Sequence, residues 1–431
     1  MPNIYLETYG CSANQNDSEI MAGILESAGC VIVLKPELAD VIIVNTCIVK
    51  GKTLSNMYNV LGKFHSEFPE VKLIIAGCLP QTELELPFDA STIGPHNIKD
   101  IALVVARALE GRIVNATDNS FETKLGLPKI KRNKAINIVQ ILEGCYGNCA
   151  YCIVKQAKPT LHSFPQKDIL KEINSGLRNG AKEIWLTSQD NSAYGLDEND
   201  TTKLPELLNE IDKIPGKFLV RVGMMNPNNL LPVLDETIEA FKSEKIFKFI
   251  HIPVQSGNDD VLKLMGRKYS IEDFTAIIKA FRRKIPKITL STDIICGFPG
   301  ESEAQFHDSV KLVLETKPDI VNISRFTPMP NTKAEEMPHQ IHGSITKKRS
   351  QWLTDVCYKI SYEQNKKWED WNGEIYVDEI GKNNTIVGRN PSYKPVVLKE
   401  HKHLFGKFIK VEVKEAMPTY LKAEITAKAQ N

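Results

Sequence analysis

No stretch of this 431-residue sequence is apolar over the ~20 residues that a helix needs to cross a bilayer. The amino terminus, MPNIYLETYGC, lacks the basic and then apolar order of a secretory signal. Neither sign of charge is in excess, because 54 Lys and Arg face 53 Asp and Glu, so net charge neither favours nor excludes a polyanionic partner. Low-complexity segments are absent, and nothing repeats beyond an alternation of strands and helices. These absences favour a cytoplasmic protein with no membrane partner.

Cysteine, in contrast, is well represented, and six of the nine cysteines fall into two sets. Because a reducing cytosol disfavours structural disulfides, grouped cysteines indicate metal binding or catalysis. The other three, Cys30, Cys296 and Cys357, lie in apolar or helical surroundings and are predicted to be buried thiols.

The length of the chain predicts two or three domains. Residues 1–113 alternate apolar strands with amphipathic helices, which indicates a parallel sheet covered on both faces. A polar and then basic linker follows over residues 114–134. From residue 135, six further strand–helix cycles suggest about three-quarters of an eight-unit barrel, and from about residue 368 short alternating strands predict a small β-barrel. The predicted fold class is therefore α/β with a C-terminal β-barrel.

Hydrophobic periodicity places the individual elements. The predicted strands of the first two regions are 4–9, 41–45, 73–76, 136–142, 183–188, 218–222, 247–254, 289–296 and 320–326. The predicted helices are 17–28, 53–64, 97–109, 166–179, 204–211, 231–241, 271–283 and 302–314, with a long connecting helix at 344–367.

Three cysteines share one short loop, GCYGNCAYC, directly after the first predicted barrel strand. This loop trio, Cys145, Cys149 and Cys152, has C-x3-C-x2-C spacing, and barrel active sites form at the carboxyl ends of strands. Three thiolates can bind three irons of a [4Fe–4S] cluster and leave the fourth iron open for a chelating ligand. Gly144 and Gly147 give the loop the freedom to wrap around a cluster. A structural zinc site is the alternative, but zinc normally takes four protein ligands in paired sets.

The other set, the sheet-edge trio, consists of Cys11, Cys47 and Cys78, which are far apart in the sequence. Each of them directly follows an apolar run, as in IYLETYGC, VIIVNTC and LIIAGC. Each thiol is therefore predicted at the carboxyl end of a parallel strand, the edge at which ligands bind in open α/β sheets. Three thiols at one edge can converge on a second metal centre; three unrelated buried cysteines are the alternative.

The loop resembles the cluster-binding motif of radical S-adenosylmethionine (SAM) enzymes, in which an aromatic residue, here Tyr151, precedes the last cysteine. The whole chain resembles the methylthiotransferase family. The matching motifs are ETYGCSANQNDSE, NTCIVK and AGCLPQ in the N-terminal region, and LTSQDNSAYG, HIPVQSGNDDVLKLMGRKYS and DIICGFPGE in the core. The C-terminal segment resembles the small RNA-binding TRAM barrel. The implied domains are 2–113 with an auxiliary cluster, 131–362 as the radical SAM core, and 366–428 as the TRAM-like domain.

This resemblance implies two [4Fe–4S] clusters together with SAM. The loop trio would hold the cluster at which SAM is cleaved to methionine and a 5′-deoxyadenosyl radical. The sheet-edge trio would hold an auxiliary cluster that carries the sulfur, which one SAM methylates while a second SAM generates the radical. The implied partners are tRNA, a reduced flavodoxin- or ferredoxin-like electron donor and a sulfur donor. No side chain is implied as a catalytic acid or base.

Polar residues at strand ends are candidate SAM contacts, with ordinary structural hydrogen bonding as the alternative. They are Asp190, Gln255 and Asp293, together with Arg325 near the last barrel strand and the motif residue Tyr151. Basic residues of the C-terminal segment are candidate contacts to RNA phosphates, for which a solvated basic face is the alternative. These candidates are Arg389, Lys394, Lys399, Lys407 and Lys410.

One loop departs from the family pattern, since Lys158 and Pro159 stand in the positions of an Arg-Gly pair. Lysine keeps the charge but loses the bidentate geometry of arginine, and proline removes an amide donor. Other motifs, LTSQDNSAYG and RVGMMNP among them, resemble the archaeal and eukaryotic branch. That branch implies 2-methylthiolation of N6-threonylcarbamoyladenosine at tRNA position 37, next to the anticodon. The alternatives are the same chemistry on isopentenyladenosine or a ribosomal-protein aspartate, and a non-catalytic two-cluster electron-transfer or RNA-binding protein.

Overall fold

The structure, a computed structural model, describes residues 1–119, 123–198 and 201–426. Two compact units make up the chain. Unit 1 comprises Met1–Arg132, Ile138–Glu172 and Thr327–Glu335, whereas unit 2 comprises Asn133–Asn137, Ile173–Phe326 and the chain from Glu336 onward. Within the described ranges, no helix has both the length and the apolar character needed to span a membrane.

The first part of unit 1 alternates strands with helices. In chain order the elements are β1 (Asn3–Thr8), α1 (Ser12–Ser27), β2 (Val31–Val33), β3 (Val41–Thr46), α2 (Gly51–Glu67), β4 (Lys72–Gly77), β5 (Ser91–Ile93), α3 (Ile101–Leu109) and β6 (Asn115–Ala116). The strands pair in the order β2–β1–β3–β4–β5–β6, and each of these pairs is parallel. The predicted parallel α/β sheet is thereby confirmed.

This sheet is covered on both faces because its central strands are apolar on both sides. Successive side chains of a strand point to opposite faces, so neighbours in β3 enter different cores. Ile43 lies in a core with Ile20 of α1 and Val104 of α3. Ile42 lies in the opposite core, with Leu61 of α2. The two-sided burial fixes the strand order and with it the positions of the strand ends.

The remaining part of unit 1 contains the predicted cluster loop. Its elements are β7 (Ile136–Gln140), β8 (Leu142–Glu143), α4 (Val154–Ala157), β9 (His162–Ser163) and α5 (Gln166–Arg178), of which β7 and α5 extend into unit 2. β8 and β9 pair antiparallel and close the loop between them. Ile153 and Ala157 pack into the same core as α2, which anchors α4 to the N-terminal sheet.

Unit 2 continues the strand–helix alternation. Its elements up to the long helix are β10 (Glu183–Thr187), α6 (Leu204–Asp212), β11 (Leu219–Val222), α7 (Pro227–Leu230), α8 (Leu234–Ala240), β12 (Phe249–His251), α9 (Asp259–Leu264), α10 (Ile271–Lys284), β13 (Thr289–Cys296), α11 (Glu303–Thr316), β14 (Ile320–Arg325) and α12 (Gly343–Lys366). β10 pairs in parallel with β11, and β12, β13 and β14 form a second parallel sheet. An isolated bridge between Val220 and Ile246 connects the two, so the parallel strands follow in chain order, as the predicted partial barrel requires.

Several predicted elements are shorter in the structure than in the sequence pattern, and two of them illustrate the difference. The apolar run 247–254 forms a strand only over Phe249–His251, because Pro253 has no amide hydrogen for a ladder hydrogen bond. The predicted helix 97–109 begins with a 3₁₀ turn at Ile98–Asp100 and becomes α-helical at Ile101. Both differences concern the ends of elements and leave the topology unchanged.

The chain after α12 folds into a closed five-stranded barrel. Its strands are β15 (Asn372–Ile380), β16 (Thr385–Arg389), β17 (Pro395–Lys399), β18 (Phe408–Ala416) and β19 (Leu421–Ile425). They close in the order β15–β16–β17–β19–β18 around a core that includes Ile375, Val396 and Val411. This confirms the predicted small β-barrel. The end of the predicted domain, residues 427–428, lies outside the described residues.

A tight turn of this small barrel, here called the floor turn, packs against the amino-terminal end of the larger barrel within unit 2. The turn, residues 390–394, joins β16 to β17. The carbonyl of Pro391 accepts a 2.8 Å hydrogen bond from the backbone nitrogen of Lys248, just before β12. The ring of Tyr393 lies 5.0 Å from that of Phe249. The floor turn thus fixes the small barrel against the amino-terminal ends of the core strands.

Candidate active site

The sheet-edge trio lies at the ends of three neighbouring strands. Cys11 follows β1 at the start of α1, Cys47 follows β3, and Cys78 follows β4. Since β1, β3 and β4 are adjacent in the sheet, the topology brings together thiols that are remote in sequence. Cys47 and Cys78 are buried, whereas Cys11 is exposed.

Asn14, in the first turn of α1, connects this trio. Its Oδ1 lies 3.8 Å from the sulfur of Cys11 and 3.8 Å from that of Cys78. Its Nδ2 donates to the carbonyl oxygens of Tyr9, at 3.0 Å, and Thr46, at 2.8 Å. Because these two donor bonds fix the amide, its oxygen is held toward both thiols. Asn14 was not among the predicted site residues, although its place three residues after Cys11 on a helix was a usable signal.

Gly10 allows Cys11 and Cys47 to lie next to each other. Its φ of +114° belongs to a region that side chains rarely adopt. A Cβ at Gly10 would lie 2.8 Å from Cβ and 3.0 Å from Sγ of Cys47. The close approach of the backbone to the Cys47 thiol therefore requires glycine at this position.

Burial changes the acidity of two of these thiols. Desolvation raises the pKa of Cys47, and it raises the pKa of Cys78 to about 12, while the ammonium of Lys158 opposes the shift at Cys78. Metal binding requires the thiolate, so a buried thiol of this kind is a suitable ligand only where positive charge compensates it. The iron of a cluster and the ammonium of Lys158 are the charges available for this purpose.

The loop trio lies between β8 and β9. The backbone nitrogen of Gly147 donates a 3.1 Å hydrogen bond to the sulfur of Cys145. A Cβ at Gly147 would lie 3.1 Å from Sγ of Cys145 and 3.7 Å from Sγ of Cys149, so both sulfurs lie close to the same backbone. The nitrogen of Cys152 in turn donates to the carbonyl of Cys149 at 3.1 Å. The motif residue Tyr151 lies half-buried between these cysteines.

Two further interactions shape the loop. Gly144 has a φ of +76°, and a Cβ there would lie 1.8 Å from the carbonyl oxygen of Thr160, so only glycine fits. Lys155 of α4 donates a 2.6 Å hydrogen bond to the carbonyl of Cys145. These two contacts therefore define the path of the loop.

Neither trio is arranged for a single metal ion. Across residues 1–119, 123–198 and 201–426, no three His, Cys, Asp or Glu side chains are grouped as ligands of one ion. An iron–sulfur cluster does not require such convergence, because each thiolate binds a different iron. Three soft sulfur ligands without a fourth therefore fit a [4Fe–4S] cluster better than zinc, which needs four ligands around one centre.

A buried charged cluster lies beside the sheet-edge trio in unit 1. The carboxylate of Glu143 accepts from Lys124 at 2.6 Å and from Lys158 at 3.1 Å, and its second oxygen is 3.2 Å from Nδ1 of His96. Lys124 also reaches Asp17 at 3.0 Å. None of the five side chains is more than 4% exposed. Lys158 was singled out from the sequence as a departure from the family pattern, but its partners were not predicted.

Three of the predicted SAM contacts occur together in unit 2, at the carboxyl ends of the core strands. Oδ2 of Asp293 on β13 lies 2.9 Å from Nε2 of His251 on β12, and Oδ1 accepts from Asn322 on β14 at 2.7 Å. The backbone of Gln255, at a φ of +71°, donates to the carbonyl of Asp293 at 2.8 Å. Arg325 is exposed at the end of β14. His251 and Asn322, which were not among the predicted SAM contacts, orient the Asp293 carboxylate.

Asp190 has a different surrounding. Its Oδ1 accepts from the backbone nitrogens of Ser192, at 3.0 Å, and Asn226, at 3.1 Å, and its Oδ2 accepts from Asn229 at 2.8 Å. The residue is 1% exposed. Because these bonds occupy the carboxylate in holding the turn after β10, we assign it a structural role and remove it from the candidate SAM contacts.

Two predicted RNA contacts are engaged inside unit 2. The ammonium of Lys394, in the floor turn, donates to Asp319 at 2.6 Å and to Asn365 at 2.8 Å, and its side chain is 5% exposed. The guanidinium of Arg389 donates to Asp378 at 3.1 Å. These cations neutralise buried carboxylates and are not available to phosphates, so their prediction as RNA contacts is corrected.

The other RNA candidates lie on the surface of the small barrel. Lys399 and Lys407 line a groove of about 1190 Å³. The further basic residues of this groove are His401, His403, Lys414 and Lys422. Lys410 is exposed on β18. We call this groove the basic groove; its lining also includes Glu415 and Glu424.

A three-cysteine loop after the first of several parallel core strands is typical of a radical SAM protein, and comparisons with known proteins agree with this. Residues 139–313 match the model of the Radical SAM superfamily, residues 3–92 that of "Uncharacterized protein family UPF0004", and residues 374–426 that of the TRAM domain. A radical SAM methyltransferase, TsrM from Kitasatospora setae, has a similar fold, with a TM-score of 0.57 over 77% of this chain and 76% of that one, at 13% identity. The radical SAM class implies one [4Fe–4S] cluster and SAM.

Relatives with curated names identify the family. "Probable threonylcarbamoyladenosine tRNA methylthiotransferase" of Methanothermobacter thermautotrophicus is 38% identical over 98% of this chain and 99% of its own length. The protein of the same name in Archaeoglobus fulgidus is 40% identical over 98% and 99%. "Threonylcarbamoyladenosine tRNA methylthiotransferase" of Homo sapiens is 33% identical over 99% and 74%. The chain belongs to the threonylcarbamoyladenosine tRNA methylthiotransferase family.

Proposed function

We propose that this protein replaces the C2 hydrogen of N6-threonylcarbamoyladenosine, at position 37 of tRNA, by a methylthio group. The observation that carries the proposal is the presence of two separate cysteine trios in one compact unit. An electron carrier would close its clusters with four protein ligands each, whereas three and three leave one iron of each cluster open. The alternative of a non-catalytic two-cluster protein is therefore not favoured.

The sheet-edge trio would hold the auxiliary cluster and the loop trio the radical SAM cluster. When bound, these clusters and SAM supply the carbon radical and the methylated sulfur, which side chains cannot provide. The residues of the chain bind and orient. Gln255, Asp293 and Arg325 are the proposed SAM contacts, with Tyr151 beside the cluster. The reaction further needs an electron donor of flavodoxin or ferredoxin type and a sulfur donor.

The basic groove is the proposed tRNA contact. Lysine contacts to phosphates fix the register of a nucleic acid without reading its sequence. Lys407→Met should weaken tRNA binding and lower the slope of log K against log salt concentration by about 1, because one phosphate contact is lost. An unchanged slope would place the RNA elsewhere. Lys63→Met, on the exposed surface of α2 in unit 1, is the matched control.

The proposed domain assignment is 2–113 for the auxiliary-cluster domain, 131–362 for the radical SAM core and 366–428 for the TRAM-like domain. We also propose a cytoplasmic location, because the proposed substrate is tRNA.

Mass spectrometry of tRNA nucleosides from cells with and without the gene tests the substrate. We expect loss of 2-methylthio-N6-threonylcarbamoyladenosine and accumulation of its unmethylthiolated precursor. Loss of methylthiolated isopentenyladenosine would instead identify that base as the substrate. An unchanged nucleoside profile would remove the tRNA assignment and direct attention to an aspartate of a ribosomal protein.

A further inference from the structure

Lys158 lies shortly after the loop trio in the sequence, but its ammonium is buried beside the sheet-edge trio. Lys158 follows α4, which begins directly after the loop trio. Ala157, the preceding residue, packs in the same core as Cys78 of the sheet-edge trio. The side chain is 1% exposed, so its charge is not screened by solvent. After desolvation, the charge of Lys158 is the strongest influence on the pKa of the Cys78 thiol, which it lowers.

The partners of Lys158 keep it charged and fixed. Burial alone would lower the pKa of this ammonium, but Glu143 and Asp17 hold it above its usual value. The carboxylate of Glu143 accepts from the ammonium of Lys158 at 3.1 Å and from that of Lys124 at 2.6 Å, and its side chain is 3% exposed. Lys158 and Glu143 therefore form a buried ion pair whose two charges lie at fixed positions.

Helix α1 links the buried charged cluster to the sheet-edge trio. Asn14, which faces the sulfurs of Cys11 and Cys78, and Asp17, which binds Lys124, are three residues apart on the helix and share one face. One face of α1 therefore contacts both the thiols and the charged cluster.

We propose that Lys158 is a positioning residue whose fixed charge sets the reduction potential of the auxiliary cluster at the sheet-edge trio. The inference rests on the proposed function, because that function supplies the auxiliary cluster. Reduction adds one negative charge to a cluster, and a buried cation nearby stabilises the reduced form. Net charge in the surroundings is among the factors that tune such potentials. Lys158 therefore raises the potential, whereas Glu143 lowers it.

The opposite signs of the two charges provide the test. The background is the full chain with Cys145, Cys149 and Cys152 replaced by alanine, so that only the auxiliary cluster remains. Lys158→Met and Glu143→Gln are introduced separately into this background. After anaerobic reconstitution, the midpoint potential of the cluster is measured by redox titration monitored by electron paramagnetic resonance.

We expect Lys158→Met to lower the midpoint potential and Glu143→Gln to raise it. The expected change is about tenfold in the reduction equilibrium, which is about 59 mV for one electron. Lys158→Arg keeps the charge and should restore most of the potential. Lys63→Met removes an exposed lysine from α2 and should leave the potential unchanged. A purely structural role for Lys158 would not produce shifts of opposite sign.

The remaining outcomes distinguish a failure of the proposed function from a failure of the inference about Lys158. If the background variant assembles no cluster, the sheet-edge trio does not bind one, and the proposed function fails. If the cluster assembles and Lys158→Met has the background potential, the inference about Lys158 is overturned while the function stands. Should Lys158→Met not fold, Glu143→Gln still decides, because an unchanged or lower potential in that variant contradicts the inference.

Discussion

The two cysteine trios of unit 1 are built in different ways. The loop trio occupies one short segment, and its geometry depends on local backbone conformation at Gly144 and Gly147. The sheet-edge trio is assembled by three parallel strands, and its geometry depends on sheet order and on one asparagine. A site built from one loop can be recognised from residue spacing, whereas a site built from a sheet requires the topology. The two sites should also fail in different ways when they are mutated.

The largest expected effect separates the two trios by their chemistry. Cys47→Ala should abolish methylthiolation and leave SAM cleavage, because the loop trio remains complete. Cys149→Ala should abolish both reactions, because the open-iron cluster of the loop is lost. The products to measure are 5′-deoxyadenosine by liquid chromatography and the methylthiolated nucleoside by mass spectrometry. Cys30→Ala, outside both trios, is the control that should retain both reactions.

If Cys47→Ala loses SAM cleavage while the loop trio still carries its irons, the proposed division of labour between the trios is wrong.

A second, smaller effect tests the dependence of the loop trio on its backbone. Gly144→Ala should prevent cluster binding at the loop, because a Cβ would lie 1.8 Å from the Thr160 carbonyl at a backbone conformation that alanine rarely adopts. Gly147→Ala should be mild, since its Cβ would lie no closer than 3.1 Å to a neighbouring sulfur. Iron content per chain after reconstitution is the measurement. Equal iron contents for the two variants would contradict the local origin of this site.

The smallest effect compares the hydrogen bonds that support each trio. Asn14→Ala removes the hydrogen bonds that the amide donates to the carbonyls of Tyr9 and Thr46, and it should lower the free energy of unfolding by roughly 1–3 kcal/mol. Lys155→Met removes one half-buried bond to the Cys145 carbonyl and should cost about 0.5–1.5 kcal/mol. Denaturant unfolding of the apoproteins measures both. A larger loss of unfolding free energy for Lys155→Met than for Asn14→Ala would contradict this prediction.

The same contrast explains how far the sequence could be interpreted. Parallel strands, the partial barrel, the small β-barrel and the cysteine sets all follow from short-range patterns, and the fold bears out the first three. Lys394 and Arg389 were misassigned because the fate of a basic residue depends on its partner. Asp319 and Asp378 become their partners only in the folded chain. Lys124, Glu143 and His96 were missed for the same reason, since no local pattern connects them.

The floor turn at residues 390–394 has a consequence for protein engineering. Tyr393 and Lys394 contact residues of the larger barrel at the amino-terminal ends of its strands. The small barrel is therefore matched to the larger barrel through specific contacts. A chimera that exchanged C-terminal domains between relatives at α12 would leave Asp319 buried without its cation unless the incoming domain brought an equivalent lysine. An exchange of C-terminal domains between these proteins therefore requires the floor turn and its partner residues in the larger barrel to be exchanged together.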